Sequence, residues 1–194
     1  VVTHVPYKDK EKEMVNQTDG YAMDNGWCWT IPLWENIGKG YVYSSKFVDK
    51  FKAEEEFRKH IAWNGDVEHI KFKHGKRRLG WYKNVIGIGL SYGFLEPLES
   101  TGLFTTHENI LRLVECFERR DGHITQIDID GYNHAVSYEL EAMKEFIECH
   151  YYLSPRTDTE YWRFHTNRSP LTYEQMFDKL IRSPRMYQEL IHCW

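Results

Sequence analysis

One stretch of this chain combines a carboxylate, a hydroxyl and several glycines near the start of a predicted helix. An apolar strand pattern at 85–88 leads into a glycine-rich loop. A helical pattern follows from Thr101 or Thr105 to Phe117. Backbone N–H groups at a helix start bind anions, and glycine allows close approach to the main chain. The stretch therefore predicts an anion site with Glu99 at its mouth, although an ordinary strand–helix turn would give the same pattern.

Two strings in the chain are more specific than this pattern. Residues 95–102 read L-E-P-L-E-S-T-G, and residues 27–32 read W-C-W-T-I-P. The strings G-Y-V-Y-S-S at 40–45 and D-T-E-Y-W at 158–162 complete the set. Together these ordered segments resemble those of the flavin-dependent halogenases, the tryptophan halogenase family. The resemblance covers residues 15–165.

The resemblance implies a role for each residue of these strings. It implies that Glu99 lies at the substrate ring, helps to position the reactive group and accepts the proton that aromatic substitution releases. It implies that the backbone of Thr101 and Gly102 binds chloride or bromide beside FAD, and that Ser100 links the substrate and flavin sites. The other cofactor-binding residues that it implies are Gly87, Gly89, Ser91 and Pro97, and its barrier residues between flavin and substrate are Trp27 and Trp29.

Each of these residues also has a purely structural explanation. Glu99 would suit the positive end of a helix dipole. Trp27 and Trp29 stand two apart on a predicted strand and therefore share one face, which would suit an aromatic ladder. The 10 histidines and 4 cysteines show no metal-ligand spacing, and residues 128–131 fail the EF-hand pattern because their glycine stands fourth. We therefore predict no metal site.

Composition limits the classes of protein to consider. The 194 residues are 41% hydrophobic and 28% charged, which is typical of a globular chain with a sizeable core. The net charge of -4 gives no general attraction to nucleic acid, and no apolar run is long enough to cross a bilayer. The basic cluster at 71–78 could suit nucleic acid, but a solvated edge hairpin is the better explanation, since the whole chain is negatively charged. We expect a cytoplasmic protein without nucleic-acid or membrane partners.

The order of the predicted elements is typical of an α+β fold, with an antiparallel or mixed sheet layer followed by a helical layer. The predicted strands cover 26–33 and 41–45 with a turn at 36–40, and 69–74 and 77–81 as a β-hairpin. The predicted helices cover 49–61 (apolar face Phe51, Phe57 and Ile61), 101–117, 137–152, 158–165, 173–181 and 184–191, with 124–129 as a short strand or loop. We expect residues 1–104 to form the β-rich part of a flavin and substrate module, and residues 105–194 a helical part that packs on it as one structural unit.

The resemblance also implies part of an FAD-dependent monooxygenase-like fold and a reaction. That reaction is chlorination or bromination of an aromatic small molecule or carrier-bound substrate, such as tryptophan or another indole, with FADH2, O2 and halide. A separate reductase would supply FADH2, and the resemblance leaves room for a homodimer. The alternatives are a flavin monooxygenase that hydroxylates, and a non-catalytic remnant or interaction domain. The chain has no G-x-G-x-x-G motif, and the family's reactive lysine matches none of its lysines, so we expect an inactive fragment of a longer enzyme.

Overall fold

The structure of the protein, a computed structural model, describes three parts of the chain: residues 1–119, 121–167 and 175. The described residues form two compact units, residues 1–71 with 152–167 and residues 72–119 with 121–151. Both units contain strands and helices, and the strands pair in an antiparallel manner, so the predicted α+β class is confirmed. The division at 104/105 separates strands from helices rather than compact units, and it stays a prediction. The helices predicted at 173–181 and 184–191 lie outside the described residues.

The element bounds are as follows. The helices are α1 (Lys10–Glu13), α2 (Lys50–Ile61), α3 (Thr101–Arg119), α4 (Gln126–Tyr152) and α5 (Glu160–Thr166). The strands are β1 (Val2–Val5), β2 (Asp19–Met23), β3 (Gly26–Pro32), β4 (Ile37–Tyr43), β5 (Gly75–Lys76), β6 (Trp81–Tyr82), β7 (Val85–Ile86) and β8 (Gly93–Phe94). No helix in the described part of the chain has the length and apolar character needed to span a bilayer.

The first unit is built on a four-stranded antiparallel sheet in the order β1–β4–β3–β2. The alternation of large apolar and small polar residues predicted β3 correctly. The turn predicted at 36–40 is wrong. Its connection closes at Leu33 and Asn36, where the Leu33 N–H donates to the Asn36 carbonyl at 2.8 Å, and Gly38 and Gly40 continue in β4. These two glycines therefore belong to a strand, where the indole of Trp29 packs over them, and not to a turn.

Helix α2 covers the core face of this sheet. Asp49 caps it by accepting hydrogen bonds from the N–H groups of Phe51 and Lys52, so the helix begins where the sequence predicts. Ala53 and Phe57, four residues apart, are fully buried in one core with Tyr41. The predicted apolar face is wrong at Phe51, which is 71% exposed, because the buried stripe runs through Ala53 instead.

The segment that contains α5 belongs to the same unit and is fastened to the end of β2. The indole N–H of Trp162 donates to the Met23 carbonyl at 2.7 Å. The Arg156 guanidinium donates to the same carbonyl at 3.0 Å and pairs with Asp24 at 2.9 Å and Asp158 at 2.7 Å. The predicted helix at 158–165 is confirmed, and this string of the sequence has a clear structural role.

The second unit packs short strand pairs against the two long helices. The predicted hairpin of 69–74 and 77–81 is wrong: β5 pairs with β8, and the hairpin is formed by β6 and β7. The turn of this hairpin contains Lys83 at φ 54°. The side chain of Asn133 on α4 accepts from the Trp81 N–H at 2.7 Å and donates to the Trp81 carbonyl at 2.9 Å. The Asn133 side chain therefore satisfies the main-chain N–H and carbonyl of Trp81 in a strand that is only two residues long.

Helix α4 is longer than the predicted 137–152. It begins at Gln126, so the strand or loop predicted at 124–129 is wrong. The Asp128 carboxylate accepts from the Thr125 N–H at 2.9 Å and from the Thr125 hydroxyl, which together cap the helix start. The predicted apolar positions are buried, namely Leu140, Met143, Phe146 and Ile147.

Candidate functional site

The glycine-rich loop has internal structural reasons for its residue types. Gly89 has φ 59°, and a Cβ there would lie 2.6 Å from the Thr106 hydroxyl of α3. The Ser91 hydroxyl accepts from the Ile88 N–H and donates to the Ile88 carbonyl, both at 2.8 Å. The main chain of Gly87 also fixes the loop, because its N–H donates to the Gly80 carbonyl at 2.7 Å. The cofactor-binding roles of Gly87, Gly89 and Ser91 stay predictions.

Two residues of the basic cluster make polar contacts, one to this loop and one to α4. Arg77 donates from Nε to the Ser91 carbonyl at 2.7 Å. Lys76 donates to the Ser137 hydroxyl at 2.6 Å and pairs with Glu141 at 2.9 Å, both on α4. Beneath the loop, beside Gly89, lies a cavity of about 10 Å³. That volume is roughly what one water molecule needs, so this cavity is too small for a flavin or an aromatic substrate.

The turn between the loop and α3 has an unusual backbone. The Ser100 N–H donates to the Pro97 carbonyl at 3.0 Å, which closes a short 3₁₀ turn. Within it, Glu99 has φ 63° and Ser100 has φ 51°. Left-handed backbone costs roughly 1–2 kcal/mol for a residue with a Cβ. Two such residues in succession show that the surrounding structure fixes this turn.

The side chain of Glu99 is held by the last turn of α4. Its Oε1 lies 2.9 Å from Nε2 of His150, and the two side chains are 26% and 33% exposed. The next residue of α4 makes a parallel contact, since the Tyr151 hydroxyl donates to Oε1 of Glu96 at 2.6 Å. The two glutamates that flank Pro97 are therefore both bound by α4.

Helix α3 presents its N-terminus immediately after Glu99. Thr101 starts the helix with φ -64° and ψ -12°, and the first turn carries no acidic side chain. Gly102 is exposed, and no heavy atom of the described residues lies within 4 Å of a Cβ built on it. The hydroxyls of Thr105 and Thr106 donate to the carbonyls of Thr101 and Gly102, so they do not compete for the N–H groups of this turn. The first N–H groups of a helix have no intrahelical acceptor and can bind an anion.

Trp27 and Trp29 lie in the first unit, on alternate positions of β3. Between them Cys28 points into the core and is fully buried, so the two indoles occupy the opposite face of the sheet, as the spacing predicts. Burial raises the pKa of the Cys28 thiol to about 11. Trp29 pairs with Gly40, and a Cβ there would lie 2.2 Å from its ring. The Trp27 Nε1–H is buried and has no hydrogen-bond partner among the described residues.

The predicted site residues thus divide between the two units. Residues 97–102 form one continuous turn and helix start in the second unit, whereas Trp27 and Trp29 belong to the first. His150 was missed as a site residue, because it stands 51 positions from Glu99. Tyr151, whose hydroxyl binds Glu96, falls in the helix predicted at 137–152 but was not predicted as a site residue. Among the described residues no group of His, Cys, Asp or Glu could hold a metal ion.

Comparison with known proteins identifies the family. The family model for tryptophan halogenase matches residues 2–194. The chain belongs to the tryptophan halogenase family. It is 35% identical over 197 residues to the 7-chloro-L-tryptophan 6-halogenase KtzR of Kutzneria sp. (strain 744), a match that covers 100% of this chain and 35% of the relative. The resemblance stated from the motifs is therefore confirmed.

Solved structures agree with this assignment. The apo structure of VirX1 is 47% identical with a TM-score of 0.81, covering 90% of this chain and 35% of that one. The tryptophan 6-halogenase SttH of Streptomyces toxytricini is 34% identical with a TM-score of 0.81, covering 93% of this chain and 37% of that one. The chain thus spans about a third of the length of the relatives it matches.

Proposed function

We propose that this chain acts within a longer flavin-dependent halogenase that chlorinates or brominates an aromatic substrate such as tryptophan or another indole. Family membership supports this proposal, because the matching family model and the relatives KtzR and SttH carry tryptophan halogenase names. The observation that carries it is the turn at 97–102, where Glu99 is held by His150 beside an open helix N-terminus. Electrophilic halogenation needs a group that accepts the ring proton and a site that binds halide, and a carboxylate beside a helix N-terminus can supply both.

The residues present fit a halide. The start of α3 offers N–H donors, carries no acidic side chain in its first turn and has open space at Gly102. These features support binding of halide by Thr101 and Gly102. Binding of FAD by the predicted cofactor residues, including Pro97 and Ser100, is supported by family membership. Reduced FAD supplies the O2 chemistry that oxidises halide.

The chain's own residues then contribute binding, orientation and proton transfer. The N–H groups at Thr101 and Gly102 hold the halide, and Trp27 and Trp29 separate the substrate from the cofactor. The ring carbon that gains the halogen must lose its proton, whose C–H electron pair returns to the ring. Glu99 accepts that proton on a carboxylate oxygen. Exclusion of water keeps the oxidised halogen from reacting elsewhere.

Partners follow from the same proposal. A separate flavin reductase supplies FADH2, and the substrate arrives as a free aromatic molecule or bound to a carrier. The enzyme acts in the cytoplasm, without nucleic-acid or membrane partners, and a homodimer is the assembly to test. The fragment alone is inactive, because the dinucleotide motif and the reactive lysine lie outside this chain.

The test is the substitution Glu99→Gln in the full-length protein. The assay supplies tryptophan, chloride, O2 and FADH2 from a reductase, and detects the product by mass spectrometry. General acid–base catalysis contributes roughly 100-fold to 10,000-fold, so we expect kcat to fall by about 100-fold or more while FAD affinity is unchanged. Glu118→Gln is the matched control, since Glu118 is an exposed glutamate near the other end of α3.

The product distinguishes the remaining possibilities. A chlorinated product from the unaltered protein supports halogenation, whereas a hydroxylated product would replace it with monooxygenation. Absence of FAD binding in the full-length protein would favour a non-catalytic remnant. Undiminished chlorination by Glu99→Gln, with normal flavin binding, would remove the role given to Glu99.

A further inference from the structure

Two adjacent residues in the last turn of α4 contact the turn at 97–102 and the residue before it. His150 contacts Glu99 at 2.9 Å, and Tyr151 contacts Glu96 at 2.6 Å. Adjacent helix residues point in different directions, so the two contacts are separate and can be removed one at a time. Only the contact from His150 is to Glu99, the carboxylate that accepts the proton in the proposed reaction.

The imidazole of His150 is fixed at both of its nitrogens. Nδ1 lies 3.1 Å from the Phe146 carbonyl, one helical turn earlier. Nε2 lies 2.9 Å from Oε1 of Glu99, so each ring nitrogen is within hydrogen-bond distance of an oxygen. The Phe146 ring also meets the imidazole edge-on, with centroids 5.1 Å apart and planes at 85°.

We propose that His150 is a positioning residue for Glu99, which through its Nε2 hydrogen bond sets the orientation of the catalytic carboxylate. This inference rests on the halogenation proposed above. The main chain of Glu99 is fixed by the left-handed turn, but its side chain has three further rotatable bonds. One hydrogen bond from a rigid helix selects among those rotamers. Glu99 thereby meets the substrate in one orientation.

The expected consequence is a loss of rate without a loss of binding. A displacement of about 1 Å at a reacting group can lower a rate by roughly 100-fold. Removal of the His150 contact takes away a hydrogen bond that orients the carboxylate, while substrate and FAD contacts stay in place. We therefore expect kcat to fall, KM for tryptophan to stay nearly constant, and less halogenated product to form for each FADH2 consumed.

Two substitutions separate the two nitrogens of the imidazole. The amide N–H of His150→Gln lies near the position of Nε2 and keeps a donor to Glu99. The shorter His150→Asn keeps a donor near Nδ1 and loses the reach to Glu99. Both introduced side chains are polar and of moderate size, so we expect both variants to fold. Tyr151→Phe is the matched control, because it removes the neighbouring contact to Glu96 and leaves His150 unchanged.

The experiment measures kcat, KM and FAD affinity in the full-length protein with tryptophan, chloride and FADH2. We expect His150→Asn to lower kcat by about 10-fold to 100-fold, with KM and FAD affinity within about threefold of the unaltered protein. We expect His150→Gln to stay within about fivefold, and Tyr151→Phe to lose less than His150→Asn. Crystal structures should show Glu99 in its original rotamer only in the Gln variant.

The opposite order overturns the inference. If Asn retains more activity than Gln, the contact to Phe146 matters and the one to Glu99 does not. Equal losses in His150→Asn and Tyr151→Phe would show a general support of the loop. Failure of the unaltered protein to halogenate tryptophan or another indole refutes the proposed function instead. Even then the rotamer of Glu99 in the two variant structures decides whether His150 positions it.

Discussion

The contact between Trp29 and Gly40 yields a sharp stability prediction. Trp29 on β3 lies between Gly20 on β2 and Gly40 on β4, each directly opposite it in the sheet. The indole leans over only one of these glycines. A Cβ at Gly40 would lie 2.2 Å from Cε2 of Trp29, whereas a Cβ at Gly20 would meet no heavy atom within 4 Å. Both glycines face Trp29 in the sheet, but Gly40 is buried on a central strand, whereas Gly20 is exposed on an edge strand and serves as the unhindered comparison.

The expected magnitude follows from the area that the indole covers. A tryptophan buries up to about 200 Å², and a ring lying flat on one strand keeps roughly half of that. Displacement of about 100 Å² at about 25 cal/mol per Å² amounts to about 2.5 kcal/mol. Gly40→Ala should therefore lower the free energy of unfolding by about 2–3 kcal/mol, in the range found for overpacking. Gly20→Ala should be neutral or gain a few tenths of a kcal/mol, since it reduces the entropy of the unfolded chain.

The assay is urea unfolding of both variants, with thermal melting as a second measurement. For a chain of this size, a loss of about 2.5 kcal/mol corresponds to a fall in Tm of about 5–10 °C. The double variant Gly40→Ala/Trp29→Leu should show non-additivity, because removal of the indole removes the clash. Equal effects of Gly20→Ala and Gly40→Ala, or strict additivity in the double variant, would refute the packing argument.

Two further predictions concern the first core. Phe57→Ala should lower stability by about 3–5 kcal/mol in urea unfolding, whereas Phe51→Ala on the same helix should stay within about 0.5 kcal/mol, because only Phe57 is buried; equal losses would contradict the assigned face. The Cys28 thiol should ionise near pH 9 when unfolded and near 11 when folded, so its contribution is complete below pH 9 and is lost as pH rises to 11. Cys28→Ala should therefore flatten the alkaline fall in stability by about 1.4 kcal/mol per pH unit, and an unchanged slope would disprove this.

Elements with local signals were predictable from the sequence. Helix α2 has a capping aspartate at Asp49 and an apolar stripe, and β3 alternates over seven residues. The hairpin predicted at 69–81 failed because β5 and β6 are two residues long, too short for any period to show. Their pairing depends on partners such as β8 and on the Asn133 side chain, which no local window contains.

The glycines of β4 were misread for a related reason. Gly38 and Gly40 are typical of a turn when only neighbours along the chain are considered. In the structure they clear space for Trp29 on the neighbouring strand, with its ring 3.4 Å from a Cβ placed at Gly38. The same residue type served two purposes, and only the cross-strand partner distinguished them.

The sequence predicted which contiguous residues form the candidate site, but not their backbone conformation or their contact with α4. The string at 95–102 gave the loop and the start of α3, because both are encoded in contiguous residues. The left-handed backbone at Glu99 was not predictable, since glutamate rarely adopts it. The contact to His150 joins residues 51 apart, and no helical or strand period reports such a distance.

The strained turn is the strongest physical reason to assign function to Glu99 rather than packing alone. Glycine would adopt φ 63° at this position without strain, and so would it at Ser100 with φ 51°. A chain selected for stability alone would gain from glycine at both positions. The turn instead keeps a carboxylate and a hydroxyl there, and α4 supplies a hydrogen bond that fixes the carboxylate. Because the unfavourable backbone carries side chains that bear chemistry, the strain supports the proposal that Glu99 and Ser100 are present for what their side chains contact.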